Sequence, residues 1–281
     1  MKVDPLSTDV GISDEKLSHR LFALDVISHT SYECWGDVFR LRPKSAHIQD
    51  SITERLMALH ETQARTIFAM FIQHAKSAVL SSWIFEVMVL RLLNGTHTLR
   101  KDLSVLQIMQ VRGPQVSSNA VQDSAIALPI LLRKVVYTDF KRDSLKATDF
   151  SSSLVIPRAS NNPLFDAVFV ELGQEDVSPR ATIWVFQITM LTDYGGSAKG
   201  YEDIAEIKRL VNIMLVDAEK DERSTKRRKQ RAEVEVRYVF VCPVTEDERM
   251  KRTWTMPEGW DVQDDIRGDI YLQLVGTRST C

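Results

Sequence analysis

The chain has 281 residues, of which 44% are hydrophobic and 26% are charged, and its formal net charge is −2 at pH 7. This composition is typical of a globular protein and excludes a disordered chain, while the length suffices for one large or two small domains. The three cysteines, Cys34, Cys242 and Cys281, lie too far apart in sequence for a disulfide framework or a CxxC metal clamp. Because the net charge is slightly negative, any binding to nucleic acid requires a local basic patch.

The first 60 residues are predicted to form an adaptor segment that is partly helical. Residues 21–30, LFALDVISHT, are compatible with either a short helix or a strand. The N-terminus carries acids where a signal peptide needs basic and then apolar residues, and no run is apolar enough to span a membrane, so we expect an intracellular site of action and no membrane partner. No GxxxxGK[ST] phosphate loop occurs, so no nucleoside triphosphate is expected to bind.

Residues 48–93 carry apolar side chains three and four positions apart, which predicts two or three helices. The last of these helices is apolar on nearly every side and is expected to be buried, and Asn94-Gly95 is typical of a helix stop. Glu86 lies in its middle. A carboxylate in such surroundings needs a cation, a metal ion or hydrogen-bond donors, so Glu86 is either a metal ligand or a structural residue paired with an arginine such as Arg91.

Residues 154–216 contain two apolar runs, a glycine loop and an amphipathic helix, in that order. The turn signal Asn161-Asn162-Pro163 precedes the first run, which carries Asp166, and the second run carries Gln187. Consecutive strands joined by a short connection usually pair with each other. We therefore expect Asp166 and Gln187 to lie side by side at the end of a small sheet.

The remaining segments are predicted to extend this sheet. Residues 96–150 contain short strands, residues 234–244 form a buried strand, and the final IYLQLV strand is expected to close the edge of the core with Trp254 and Trp260. A basic cluster precedes the buried strand, and it is either a solvated loop, a contact for the phosphate backbone or a nuclear import signal. Its candidate residues are Lys226, Arg227, Arg228, Lys229 and Arg231.

The order of a helix with Glu86, a strand with Asp166, a strand with Gln187 and Thr189, and a further helix resembles the PD-(D/E)XK nuclease-like superfamily. The pieces NNPLFDA, VFQIT, GGSAKG and YVFVCP more closely resemble the nuclease-like C-terminal domain of Crinkler and retrotransposon-hot-spot proteins of fungi and oomycetes. The resemblance covers roughly residues 78–243. It implies an α/β fold with a restriction-endonuclease-like core, a mixed central sheet flanked by helices, over residues 61–281, after a helical N-terminal segment.

The resemblance also implies a chemistry, in which Glu86, Asp166 and Gln187 hold Mg²⁺ or Mn²⁺ for the hydrolysis of DNA phosphodiesters in the nucleus. Gln187 occupies a position where the family has glutamate, so it offers an oxygen without a charge. Thr189 stands where the family has lysine and cannot supply a positive charge. We therefore expect weakened catalysis, and two later lysines are candidates for the missing charge, Lys199 and Lys208.

Two other functions remain open. In the first, the fold is a catalytically inactive DNA-binding module whose basic cluster contacts phosphates. In the second, residues 48–93 present a surface to a protein partner, or to a second copy of the chain, and nucleic acid is not involved. Asp166 and Gln187 also have structural explanations, as an acid at a turn with a backbone partner and as a glutamine that bonds a neighbouring strand.

Overall fold

The structure is a computed structural model, and we describe only part of the chain. The described residues are 22–26, 39–43, 48, 51, 54–55, 63, 66, 78–95, 103, 105–112, 115–123, 126–129, 133–138, 140, 150, 153–158, 162, 164–173, 180–190, 193–195, 197–222, 233–244, 252–257, 259–260 and 266–276. The chain divides into two compact units, Met1–Val87 and Met88–Cys281. The domain boundary predicted after residue 60 stays a prediction.

The first unit contains an antiparallel pair of strands, β1 (Phe22–Val26) and β2 (Phe39–Pro43). Residues 22–26, part of the segment that the sequence left open between helix and strand, therefore form a strand. Single described positions at 48, 51, 54, 55, 63 and 66 are helical, in agreement with the periodicity of this region. A helical character for the whole N-terminal segment stays a prediction.

Helix α1 (Ala78–Leu93) is the apolar helix that the sequence predicted. Ile84, Phe85 and most residues of its second half are buried, because apolar side chains occupy almost every face. The helix ends as expected: the Asn94 N–H donates to the Leu90 carbonyl at 3.0 Å. Gly95 has a φ of 79°, a left-handed conformation that glycine adopts without steric cost.

The second unit is built on a ten-stranded mixed sheet in the order β5-β6-β7-β8-β10-β12-β3-β4-β11-β9. With its helices this sheet makes the chain an α/β protein, as the sequence predicted. The strand bounds are β3 Gln107–Arg112, β4 Gln115–Asp123, β5 Lys134–Thr138, β6 Ser153–Pro157, β7 Ala167–Gly173, β8 Arg180–Ile188, β9 Asp193–Gly195, β10 Glu233–Pro243, β11 Thr253–Thr255 and β12 Asp269–Val275.

Helix α2 (Lys199–Glu222) connects β8 to β10, which pair in parallel. Its apolar positions repeat at three and four residues, so one face of the helix is buried in the same core as alternate residues of β8 and β10. Ile204, Ile207, Val211 and Leu215 form this face. A parallel pair needs such a crossover, and the apolar face of α2 covers the sheet between the two strands.

A strand near the far edge of the sheet contacts a strand in its centre. Strand β9 follows β8 after only a few residues of chain, yet it lies at the opposite end of the strand order, beside β11. Trp254 of β11 stacks on Phe240 of β10, with ring centroids 5.2 Å apart. The sheet therefore curls over the side that α2 covers, because β11 contacts β10 through side chains on that side.

Strand β12 lies inside the sheet, between β10 and β3. The prediction that the final strand lies at an edge is therefore wrong, whereas Trp254 and Trp260 are buried in the same core as this strand, as predicted. Its residues explain the placement, because Ile270, Tyr271 and Leu272 are consecutive and all buried, as expected for a strand covered on both faces.

Candidate functional site

The corner formed by the start of β7 and the end of β8 brings Asp166 and Gln187 together. These strands are antiparallel, and Ala167 pairs with Phe186, so the next residues outward face each other. The Asp166 N–H donates to the Phe186 carbonyl at 2.8 Å, which extends the ladder by one residue. The predicted juxtaposition of Asp166 and Gln187 is confirmed.

The Asp166 carboxylate is held through one oxygen. Its Oδ2 accepts hydrogen bonds from the Ile188 backbone N–H at 2.6 Å and from Gln187 Nε2 at 2.8 Å. Bonds of this kind to a charged oxygen are shorter and stronger than bonds between neutral groups. The two donors fix the orientation of the carboxyl group relative to the end of β8.

Loss of solvation dominates the electrostatics of Asp166. Burial of the carboxyl group raises its pKa to about 7, and the Ile188 N–H offsets only part of this effect. Near neutral pH the protonated and charged forms are therefore close in free energy. An additional positive charge at the corner would favour the carboxylate.

Gln187 is buried, with 3% of its surface exposed, and its two polar atoms differ. Nε2 donates to Asp166, whereas Oε1 has no hydrogen-bond partner among the residues that the structure describes. Buried polar atoms are rarely left unpaired in native proteins, so this carbonyl oxygen calls for an explanation. This carbonyl oxygen is a possible metal ligand on a side chain that bonds a carboxylate.

These two residues fit part of the coordination sphere of Mg²⁺ or Mn²⁺, because both ions prefer oxygen ligands. The pair supplies only one negative charge. Within the described ranges, no three histidine, cysteine, aspartate or glutamate side chains come together as a metal cluster. Asp166 and Gln187 alone would supply few ligands for an ion, and the predicted Mg²⁺ or Mn²⁺ site stays a prediction.

Thr189 follows at the end of β8 and is 5% exposed. Its N–H donates to the Val241 carbonyl at 3.0 Å, which ties the end of β8 to β10. The residue therefore helps to hold the strands together, and its hydroxyl brings no positive charge to the corner.

A turn before β7 fixes the other side of the corner. Asn162 Oδ1 accepts from the N–H groups of Leu164 and Phe165 at 3.1 and 3.2 Å, and Asn162 Nδ2 donates to Asp203 of α2 at 3.4 Å. Desolvation raises the pKa of Asp203, and the bond from Asn162 offsets part of this rise. The sequence predicted the turn but not its attachment to the helix.

The first turn of α2 packs directly against this turn. A Cβ atom built on Gly200 would lie 2.3 Å from Leu164 Cβ, so any larger residue there requires Leu164 to move. Tyr201 is buried, and its hydroxyl donates to the Pro257 carbonyl at 3.0 Å. The start of α2 therefore contacts both the segment leading to Asp166 and the segment that follows β11.

The remaining candidate residues belong to other elements of the chain. Glu86 is a part-buried residue of α1 within the unit Met1–Val87, and its role as a ligand stays a prediction. Lys199 is exposed at the start of α2, and Lys208 is part-buried nine positions later. The basic residues of the cluster lie outside the described residues: Lys226, Arg227, Arg228, Lys229 and Arg231.

Comparisons with known proteins add no relative. No family model, no curated protein and no solved structure matches the chain. Neither α1 nor α2, the two helices with described bounds, combines the length and apolar composition of a membrane-spanning segment. The function must therefore be argued from the corner itself.

Proposed function

We propose that the chain is a metal-dependent, nuclease-like domain that acts on DNA, with phosphodiester hydrolysis weakened by Gln187 and Thr189. The observation that supports this proposal is the unpartnered Gln187 Oε1 beside Asp166, at the end of paired strands in an α/β sheet. The order of helix, strand, strand and helix matches the resemblance to the PD-(D/E)XK superfamily, and we extend the proposal to its restriction-endonuclease-like core and to the Crinkler and retrotransposon-hot-spot type.

In this proposal Asp166 provides the charge that attracts the ion, and Gln187 Oε1 provides a neutral oxygen. When bound, Mg²⁺ or Mn²⁺ would supply a hydroxide near neutral pH and neutralise charge on the phosphate. Glu86 is proposed as a third ligand. The buried amide in place of a second carboxylate lowers the charge of the site, so we expect the affinity for the ion to be low.

The family has a lysine at the position of Thr189, so in this chain another residue must supply the positive charge. Lys199 and Lys208 lie on the helix that follows β8, and both are proposed as donors of this charge. Lysine-to-alanine variants at each position separate the two. A variant that lowers the cleavage rate by about tenfold or more identifies the donor, since about 1.4 kcal/mol of transition-state stabilisation corresponds to tenfold in rate.

DNA is proposed as the substrate, in the nucleus. The support comes from the chemistry that the corner would perform on an anionic phosphodiester and from the basic cluster at residues 226–231. Contacts between such a cluster and phosphates weaken as salt rises, because counterions are released on binding. Binding that falls steeply between about 50 and 200 mM salt would support a role for the cluster.

The decisive experiment incubates supercoiled and linear DNA with the purified chain and Mg²⁺ or Mn²⁺. Slow cleavage is expected, and it should be lost in Asp166→Asn and in EDTA. Asp166→Asn is the matched variant because it keeps the shape of the side chain. Cleavage that survives in Asp166→Asn would mean that this corner is not the nuclease site.

A restoring variant tests the two departures from the family pattern. Gln187→Glu with Thr189→Lys supplies the missing negative and positive charges, and we expect it to cleave at least about tenfold faster than the natural chain. Gln187→Glu alone should be destabilised without metal, because it places two carboxylates side by side, and Mg²⁺ should restore its melting temperature. The absence of any Mg²⁺ effect on this variant would contradict a metal site at the corner.

One observation favours a second candidate, the catalytically inactive DNA-binding module. Asp166 already accepts two hydrogen bonds from the end of β8, so the corner is held together without a metal ion. This candidate predicts DNA binding that persists in EDTA and in Asp166→Asn. If the chain neither cleaves nor binds DNA at low salt, the proposal moves to a protein-interaction module, with a protein partner or a second copy of the chain as its ligand.

A further inference from the structure

Two buried polar atoms on the inner side of the curled sheet lack partners, and their chemistry is complementary. Gln187 Oε1 is an acceptor, and the indole Nε1 of Trp254 is a donor; neither has a hydrogen-bond partner within the part of the chain that the structure describes. Gln187 is 3% exposed and Trp254 is fully buried. Each atom would cost free energy if it remained unpaired.

Strand register brings the two residues to the same region. Gln187 of β8 pairs with Phe240 of β10, and neighbouring strands lie about 4.8 Å apart. The Trp254 ring stacks on Phe240 at 5.2 Å and meets Tyr238 edge to face at 6.1 Å. Residues in register on adjacent strands point to the same side, so Gln187 and Phe240 both face the core that contains Trp254.

The enclosure limits what can satisfy both atoms. The two atoms do not bond each other, and both residues are shielded from bulk solvent. Water can accept a hydrogen bond from the indole and donate one to the amide carbonyl, and buried waters commonly bind to polar groups that the protein leaves unpaired. We propose that ordered water bridges Trp254 Nε1 to Gln187 Oε1, which makes Trp254 a positioning residue for the Gln187 amide.

The bridge explains the orientation of the amide. The two ends of a glutamine amide have nearly the same shape, so hydrogen bonding alone decides which end faces Asp166. Water bound to Oε1 leaves Nε2 as the donor to the Asp166 carboxylate, and the second lone pair of Oε1 stays available to the ion of the proposed function. This inference does not depend on the proposed function, because it concerns only how the corner is assembled.

The size of the Trp254→Phe effect, compared with that of Trp260→Phe, tests the bridge. Phenylalanine keeps an aromatic ring on Phe240 and removes the donor, but its smaller ring also weakens the packing. If water satisfies that donor, the variant breaks the bridge as well, and we expect a loss in the folding equilibrium constant at least about fivefold larger than that of Trp260→Phe, by urea denaturation. A loss no larger than that of Trp260→Phe would overturn the proposal.

Two further variants make the test specific. In a Gln187→Met background the loss caused by Trp254→Phe should shrink, because the acceptor is already gone; additive effects would overturn the coupling. Trp260→Phe is the matched control, since Trp260 is also buried and its Nε1 is also unpartnered among the described residues. It should lower the midpoint less than Trp254→Phe does, because it loses ring volume but no bridge.

A direct observation covers the case in which Trp254→Phe does not fold. The natural chain labelled with ¹⁵N-tryptophan has five indole signals, one for each tryptophan. We expect the signal of Trp254 to show a cross-peak to water with the sign of a long-lived, protein-bound molecule, and to shift in Gln187→Met. A Trp254 signal without such a cross-peak would overturn the proposal.

Discussion

The two ends of β8 carry polar groups that are satisfied in opposite ways. At the amino-terminal end, Arg180 pairs with Glu233 of β10 at 3.1 Å, and both side chains are about half exposed, at 50% and 54%. At the carboxyl-terminal end, Asp166 and Gln187 bond to each other, and one buried oxygen remains without a partner among the described residues. Charge is abundant at the first end and scarce at the second.

The exposed end also has a concavity, an open groove of about 220 Å³. Its charged lining consists of Glu171, Arg180, Glu233, Glu235 and Arg237. Most of these groups pair with one another: besides the first ion pair, Arg237 bonds Glu235 at 2.9 Å, and Trp184 donates to Glu171 at 3.0 Å. Arg237 Nε is buried without a hydrogen-bond partner among the described residues. The two ends therefore differ in charge and exposure: several ion-paired groups line an open groove at one end, whereas a single buried carboxyl group bonds a buried amide at the other.

The largest effects should come from two glycines, one near each end. Gly268 lies against Val236 near the exposed end, where an added Cβ would lie 1.9 Å from the Val236 carbonyl oxygen. Gly268→Ala must displace strand backbone, so we expect a loss of about 3 kcal/mol or more in the free energy of unfolding. Urea denaturation measures this loss. A variant that yields no soluble protein would be destabilised beyond the range of this measurement.

Gly200→Ala is the matched variant at the buried corner. The added methyl would lie 2.3 Å from the Cβ of Leu164, a side chain on a turn, so part of the strain can be relieved by movement of that turn. We expect a smaller loss, of about 1–3 kcal/mol, together with weaker DNA cleavage or binding. A Gly200→Ala variant as stable as the natural chain would show that the start of α2 does not hold the corner.

The sequence predicted the part of the fold that local patterns determine. Alternating and continuous apolar runs predicted β7, β8 and β10, and the period of Ile204, Ile207 and Val211 predicted α2. The short connection between β7 and β8 then placed Asp166 opposite Gln187, because consecutive strands pair in the simplest way. Asn94-Gly95 predicted the end of α1 for an equally local reason.

The rest depends on contacts between distant segments. The position of β12 inside the sheet depends on its pairing with β10 and β3, and the return of β11 to β10 depends on the packing of Trp254 on Phe240. No local pattern encodes either one. The bond between Asn162 and Asp203 has the same origin. Whether Gln187 Oε1 has a hydrogen-bond partner depends on all the residues packed around it. The sequence could therefore identify the residue but could not show that its oxygen lacks a partner among the described residues.

An intermediate effect is expected from the titration of Asp166. Its pKa is about 7 in the folded protein, against 3.8 for an aspartate side chain in water, so between these values the unfolded chain has lost a proton that the folded chain retains. Stability contributed by this group is therefore complete below about pH 4 and falls as the pH rises to about 7, by at most about 1.4 kcal/mol per pH unit. Asp166→Asn should remove this slope.

The measurement is the free energy of unfolding at several pH values for the natural chain and for Asp166→Asn. The difference between the two curves isolates Asp166 from other titrating groups, including Asp203, whose pKa desolvation also raises. Added Mg²⁺ should reduce the slope of the natural chain if the ion binds the carboxylate, since the ion then competes with the proton. Parallel curves would mean that the corner is as well solvated as the exposed end.

The smallest effect is expected at the exposed end. A double-mutant cycle of Arg180→Ala and Glu233→Ala should give a coupling free energy of at most about 0.5 kcal/mol, because solvent screens a pair of which half remains exposed. Added salt should reduce it further, since about 1 M salt shortens the screening distance to about 3 Å. A coupling well above about 1 kcal/mol that survives high salt would mean that this end also depends on specific pairing, and the contrast between the two ends of β8 would then no longer single out the Asp166 corner.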